Sequence, residues 1–166
     1  MSAFAKVLDY VAIMNYDMWG PWSATVGPNS PLDDACAPEQ SRVSSAISAV
    51  KAWTSAGFPA KQLVLGVPGY GHAFRVRRAD AYANGSTTTL AAFPRFDAVD
   101  RPVGDAWDDQ AGEVDVCGEQ QLAGGIYTLW GLIDTGFLKK DGSPAPGINY
   151  RYDTCSQTVS CTSSMK

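Results

Sequence analysis

The sequence predicts an α/β protein built around one strand–helix–strand unit. Three observations carry this: an apolar, β-branched and aromatic run over residues 7–16, a helical rhythm over 41–56, and a second apolar run from Gln62 to Val67. The first run contains Val7-Leu8-Asp9-Tyr10-Val11-Ala12-Ile13-Met14, reads as a buried strand, and is closed by the turn signal Trp19-Gly20-Pro21. A polar, proline-rich loop follows, from Gly27-Pro28-Asn29-Ser30-Pro31 to Pro38. In the helix, Ile47, Val50 and Trp53 recur at three-residue steps on one expected face. Ser41 or Ser44 is placed to cap its start, and Gly57 to stop its end. Strand, helix and strand in this order make a βαβ unit, with parallel strands and a right-handed crossover expected.

Beyond Tyr70 the pattern changes. Residues 75–105 show no helical or alternating period. Further on, Ile126-Tyr127-Thr128-Leu129-Trp130, Leu132-Ile133 and Phe137-Leu138 read as a short helix or strand that packs as a unit. Residues 73–158 are therefore expected to form an α+β insertion after the α/β portion, residues 1–72. Residues 159–166 read as a Ser/Thr-rich tail without pattern.

Composition narrows the function classes. The 166 residues include 13 Lys and Arg against 17 Asp and Glu, with 45% hydrophobic and 18% charged residues, which fits one domain or a large piece of one. Five Trp, seven Tyr and six Phe supply enough apolar surface to exclude a disordered chain. The net charge of -4 and the short basic run Arg75-Val76-Arg77-Arg78 speak against a nucleic-acid partner. No apolar run reaches the ~20 residues of a membrane span. The amino terminus lacks a charged segment followed by an apolar stretch, so no secretory leader is read there. It enters an apolar strand almost at once, as the interior of a longer protein would.

Cys36, Cys117, Cys155 and Cys161 have no C-x-x-C spacing, and His72 is the one imidazole, so a zinc site is not indicated. Disulfides and buried thiols both remain open; disulfides would imply an oxidising compartment. The expected pair is Cys117–Cys155, which would staple an insertion with a thin core. Cys161 is the weaker candidate, and Cys36 is left for a cysteine upstream of this chain. The triplet Asn84-Gly85-Ser86, in a polar Gly/Ser/Thr stretch, fits a secreted surface loop, although such triplets also arise by chance.

In a parallel α/β barrel, side chains at the carboxyl ends of strands line the active site. Here those ends carry Met14-Asn15-Tyr16-Asp17 and Gly66-Val67-Pro68-Gly69-Tyr70-Gly71-His72. The plain alternative is that Met14 and Tyr16 are core residues and Asp17 caps a turn. An aromatic and polar rim is also what a sugar needs, with flat rings for its apolar faces and donors and acceptors for its hydroxyl and acetamido groups.

The wider pattern favours the rim. The run Leu8-Asp9-Tyr10-Val11-Ala12-Ile13-Met14-Asn15-Tyr16-Asp17-Met18-Trp19-Gly20-Pro21-Trp22-Ser23, with Gly27-Pro28-Asn29-Ser30-Pro31-Leu32, resembles the sixth strand and loop of family 18 glycoside hydrolases, the chitinases. Leu65-Gly66-Val67-Pro68-Gly69-Tyr70-Gly71-His72-Ala73-Phe74 resembles their seventh strand. Tyr152-Asp153-Thr154-Cys155-Ser156-Gln157-Thr158 resembles a segment of the chitinase insertion domain. The likeness is strongest to secreted fungal-type chitinases and covers residues 7–158.

The resemblance implies a partial (β/α)8 TIM barrel, about two strands and one helix, with an inserted α+β subdomain. A complete barrel takes ~250 residues. It also implies hydrolysis of β-1,4-linked N-acetylglucosamine polymers in which the substrate's own acetamido carbonyl attacks the anomeric carbon, the substrate-assisted exception to the two-carboxylate scheme. By similarity, Tyr16 would position that carbonyl, Asp17 would sit beside the general acid, and Met14 would floor the acetamido group. Asn15 and Tyr70 would belong to the sugar rim, and Trp19 or Trp22 would stack on the product side. The implied partner is chitin or chito-oligosaccharide, with no metal or organic cofactor, no nucleic acid and no membrane. The complete protein would be an extracellular monomer.

This sequence also departs from the family. The acidic Asp-x-x-Asp-x-Asp-x-Glu signature is absent, and Asp33-Asp34, Asp108-Asp109 and Glu113-Asp115 do not end apolar strands. The eighth strand with its platform Trp is not found, and the break in pattern at Val159 points to a truncated or misjoined end. His72 stands where many relatives carry Arg, and is expected as a turn residue bonded to backbone. Isolated, the chain is expected to be inactive; a lectin-like relative without the acid is the alternative reading.

Overall fold

Val11–Ile13 (β1) and Leu63–Leu65 (β2) pair in parallel, Val11 opposite Leu63 and Ile13 opposite Leu65, in a computed structural model describing residues 2–163. The parallel pairing is as expected, but each strand is only three residues long. Phe4–Lys6 forms a 3-10 turn instead of leading into the strand. The Gln62 side-chain amide donates to the Leu8 and Ala5 carbonyls, at 2.9 and 3.2 Å, so a side chain holds residues 5–8 where a ladder was expected. At the other end, Asn15 N–H folds back onto Ile13 O at 3.0 Å and closes the strand.

Among the described residues β1 and β2 pair only with each other. The alternation of side chains along β1 buries Ile13 and Asn15 on one face and leaves Ala12 and Met14 exposed on the other. The run read as a buried strand is thus buried on one side only. Val64, Leu65 and Val67 are exposed as well.

Ala46–Ser55 forms α1. Its cap is Ser45, not Ser41 or Ser44. Ser45 Oγ accepts from Ser48 N–H at 3.2 Å while Ser48 Oγ accepts from Ser45 N–H at 2.8 Å, a reciprocal pair that satisfies two otherwise orphaned donors. Ser41 closes a separate 3-10 turn, Glu39–Ser41. Gly57 ends the helix as expected, at φ +87, a left-handed conformation that glycine adopts without Cβ strain. Trp53 packs edge-on against the buried Phe58 at 5.5 Å, whereas Ile47 is exposed. Steps of three residues drift about 60° around a 3.6-residue helix, so Ile47 and Trp53 do not share one line.

The disulfide is Cys36–Cys155, with Cα atoms 6.3 Å apart, and not Cys117–Cys155. Leu32 N–H donates to Ser156 O at 2.9 Å, and Asp153 Oδ1 accepts from the Cys155 and Ser156 N–H groups, which fixes residues 153–156 beside the loop carrying Cys36. Cys117 is a free, exposed thiol in a turn closed on Asp115, and Cys161 is free and partly covered.

Tyr70–His72 (β3) pairs antiparallel with Ile126–Thr128 (β4), and Leu129–Asp134 (α2) follows directly. The expected "helix or strand" is both in succession. Asp105 organises this segment: its carboxylate accepts from Thr128 N–H at 2.7 Å, Thr128 Oγ1–H at 2.6 Å and Trp107 N–H at 2.9 Å. Asp108 does the same for Gly104 and Gly125 N–H, at 3.1 and 2.7 Å. Residues 81–91 form a small hairpin through the Tyr82–Leu90 bridge. Asn149–Asp153 (β5) and Thr158–Thr162 (β6) form a third two-stranded sheet. The segment from Val159 is therefore strand as far as Thr162, and the tail's last residues, 164–166, lie outside the described ones.

Two compact units result. One holds the chain up to Met18, Pro28–Pro68 and Tyr152–Val159; the other holds Trp19–Gly27, Gly69–Arg151 and the chain from Ser160. Among the described residues no helix is long and apolar enough to cross a membrane, and no three His, Cys, Asp or Glu side chains are grouped as metal ligands.

Candidate functional site

The carboxyl end of β1 gathers the first set of candidate residues, all in the first unit. Alternation turns Met14 outward, 71% exposed, and Asn15 inward, 2% exposed. Tyr16 is half-buried, and its ring lies over Gly66: a Cβ built on Gly66 would meet Tyr16 Cε1 and Ile13 O at 3.0 Å each. Gly66 N–H donates to Ile13 O at 2.8 Å, so the glycine is held at the strand end and its bare Cα makes the seat for the phenol.

Asp17 adopts φ +56, a left-handed backbone uncommon outside glycine, asparagine and aspartate and costing about 1 kcal/mol or more. Asn29 secures it. Its Oδ1 accepts from Asp17 N–H at 2.8 Å, and its carbonyl accepts from Met18 N–H at 3.1 Å. Ser30 Oγ donates to Asn15 O at 2.5 Å, and Asn15 Nδ2 donates to Pro31 O at 3.4 Å. Asn29, Ser30 and Pro31 thus lace the loop's return limb to residues 15–18. The outcome is a phenol and a carboxylate at successive positions on a fixed turn. Asn15, expected on the rim, is buried and serves the loop.

The second unit carries the aromatic candidates. Trp22 is 66% exposed and meets His72 edge-on at 5.9 Å; Tyr70 meets the same imidazole at 5.9 Å; Phe74 and Phe96 extend the row, 4.8 Å apart. Trp22 also covers Gly20, where any Cβ would collide with its indole. Trp19 is spent differently. It is 6% exposed, packed on Phe93 at 5.6 Å with Gly27 against its ring, and so belongs to the core. Of the two tryptophans, Trp22 is the one with an open face. His72 lies in β3 and not in a turn, at the centre of the aromatic row.

Sequence reasoning missed Asn29, Ser30 and Gly66 as parts of the site. Asn29 and Ser30 were visible only as loop residues, because their partners lie 12 and 15 positions away. The signal for Gly66 was a glycine directly after an apolar strand, where close backbone approach is a standing reason for that residue.

Parallel strands joined by a helix, with polar and aromatic residues at a strand's carboxyl end, are features of the α/β barrel class. Within that class the chain belongs to glycosyl hydrolases family 18, whose pattern its residues 1–153 match. It is 56% identical to a chitinase-like effector of Moniliophthora roreri, over 95% of this chain and 38% of that protein. It superposes on the crystal structure of the chitinase RmChi1 from Rhizomucor miehei with a TM-score of 0.77 and 28% identity, over 98% of this chain and 41% of that one. A mutant class V chitinase from Nicotiana tobaccum, in complex with NAG4, matches with a TM-score of 0.58 and 25% identity over 96% of this chain and 36% of that one. The chain therefore spans about two fifths of the length of these relatives.

Proposed function

We propose that this chain contributes the substrate-holding part of a family 18 site for β-1,4-linked N-acetylglucosamine oligomers, without the general acid. The observation that carries the reading is the fixed Tyr16-Asp17 turn at the end of β1, with Tyr16 seated on Gly66 and Asp17 held by Asn29. The Tyr16 hydroxyl donates to the acetamido carbonyl of the reacting sugar and holds it in line with the anomeric carbon, a positioning effect. Asp17 supplies the carboxylate beside the distorted sugar, and exposed Met14 floors the acetamido group. Trp22 and Tyr70 offer faces for pyranose stacking. Residues 73–158 are read as the family's α+β insertion. No cofactor is called for, since the substrate brings its own nucleophile.

Hydrolysis requires a glutamic acid on another strand, in the longer protein of which this chain is the equivalent of a part. Non-hydrolytic binding is the second reading. The missing acidic signature favours it for the chain alone. The Cys36–Cys155 bond supports an extracellular setting.

Calorimetric titration of the 166-residue chain with the N-acetylglucosamine tetramer tests this. Saturable binding is expected, weakened up to about tenfold by Tyr16→Phe, the worth of one hydrogen bond, and with no shorter oligomers formed. In a longer protein carrying the glutamic acid, the same substitution should lower kcat by about 10²–10³ with little change in KM, by analogy with oxyanion-hole donors. Absence of saturable binding, or indifference to Tyr16→Phe, would overturn the role of this turn. Turnover by the chain alone would overturn the absence of the acid.

A further inference from the structure

We infer that Asn84 is an N-glycosylation site, modified by a lipid-linked oligosaccharide donor as the chain enters the secretory compartment. Asn84-Gly85-Ser86 is the one Asn-x-Ser/Thr triplet in the chain with a residue other than proline in the middle; Asn29-Ser30-Pro31, Asn15-Tyr16-Asp17 and Asn149-Tyr150-Arg151 do not qualify. A triplet alone is weak, so the geometry decides.

Ala83 and Thr89 are paired by Ala83 N–H to Thr89 O at 2.9 Å, and Ala81 and Ala91 by Ala91 N–H to Ala81 O at 3.0 Å, so residues 81–91 form a hairpin. Its base is anchored by the buried Leu90 and by Asn149 Nδ2 donating to Tyr82 Oη at 3.3 Å. At its tip, Ser86 N–H donates to Ala83 O at 2.9 Å, closing a β-turn with Asn84 and Gly85 at the centre and Gly85 at φ +78. That is the type II pattern, in which glycine takes the left-handed position. Asn84 is exposed, and among the described residues its side chain makes no hydrogen bond. A bulky glycan attached there displaces no packed group and breaks no contact. The second, independent observation is the Cys36–Cys155 bond, which needs the same oxidising compartment in which such glycans are added.

The step is a glycosyl transfer. Asn84 Nδ2 forms a bond to the anomeric carbon of an oligosaccharyl pyrophosphoryl lipid. The bond from that carbon to the pyrophosphate oxygen breaks, the lipid pyrophosphate leaves, and the amide nitrogen gives up one proton. Ser86 Oγ, which in the folded chain accepts from Thr88 and Thr89 N–H at 3.1 and 2.7 Å, is free to serve recognition before the hairpin forms.

This inference rests on the extracellular reading above, and its test separates the two. The full chain is expressed behind a secretion signal in a eukaryotic host. Lysate and medium are compared before and after peptide-N-glycosidase F, beside Asn84→Gln and Ser86→Thr. The expected result is a mobility shift removed by the glycosidase in wild type and Ser86→Thr, and absent in Asn84→Gln. An unshifted wild-type chain, retained or released, overturns the site. If that unshifted chain still carries the Cys36–Cys155 bond in the medium, the extracellular reading survives without the glycan. A shift that persists in Asn84→Gln also overturns the assignment.

Discussion

Asp17 holds an unfavourable backbone conformation because one side chain, Asn29, takes its N–H and one carbonyl takes the next. Removing the acceptor strands a partly buried donor, which costs about 1–3 kcal/mol. Asn29→Ala should therefore lower unfolding stability by roughly that amount in urea, and Asn29→Asp, which keeps an oxygen in place, should recover most of it. Equal losses in the two variants would show that Asn29 acts by packing alone. That Met14, Tyr16 and Asp17 stand just past β1 was legible in the sequence because the apolar run of residues 7–16 ends there. The residues that fix them were not, because a loop of a dozen residues separates the partners and no local period records that contact.

At the scale of elements, local signals decided what could be read. Gly57 stops α1 because a left-handed residue just past a helix is a local requirement, visible as a lone glycine. The start was harder, since Ser41, Ser44 and Ser45 all precede it; the partner Ser48, three residues past Ser45, is the feature that selects. The Asp105 contacts were hidden altogether, spanning 23 residues from a segment with no period to the β4–α2 junction. The hydroxyl of Thr128, its backbone N–H and that of Trp107 hold the Asp105 carboxyl below the ordinary aspartate value. A group with a depressed folded pKa stabilises the fold above its unfolded value, about 3.9, and loses that contribution as pH falls through the lower folded value. In acid unfolding followed by tryptophan fluorescence, the Asp105 contribution should be lost only as pH falls below about 4. Asp105→Asn should lower stability at neutral pH and flatten the dependence on pH across that acid window. A slope unchanged by the substitution would assign acid sensitivity elsewhere.

For the whole molecule, the βαβ unit was legible because each of its parts is a short local pattern, whereas the cysteine pairing was not. Cys36 and Cys155 are 119 residues apart, and their approach depends on the Leu32–Ser156 and Asp153 hydrogen bonds. In the chain-entropy picture, closing so long a loop is worth about 5 kcal/mol. Cys155→Ser should lower guanidinium unfolding stability by several kcal/mol, near the upper end of the usual 2–5. Cys117→Ser, at an exposed free thiol, should change it by less than about 0.5.

The same bond changes what a protease can do to this molecule. Every peptide bond from residue 36 to residue 155 lies inside a covalent ring, and most of the second unit lies there with it. A single cut at the exposed turn around Val114–Gly118 opens the ring without releasing a piece. The product runs as one band on a non-reducing gel and as two after dithiothreitol. In a protease-rich setting such a nicked form stays a single particle, its halves tethered until something reduces the bridge.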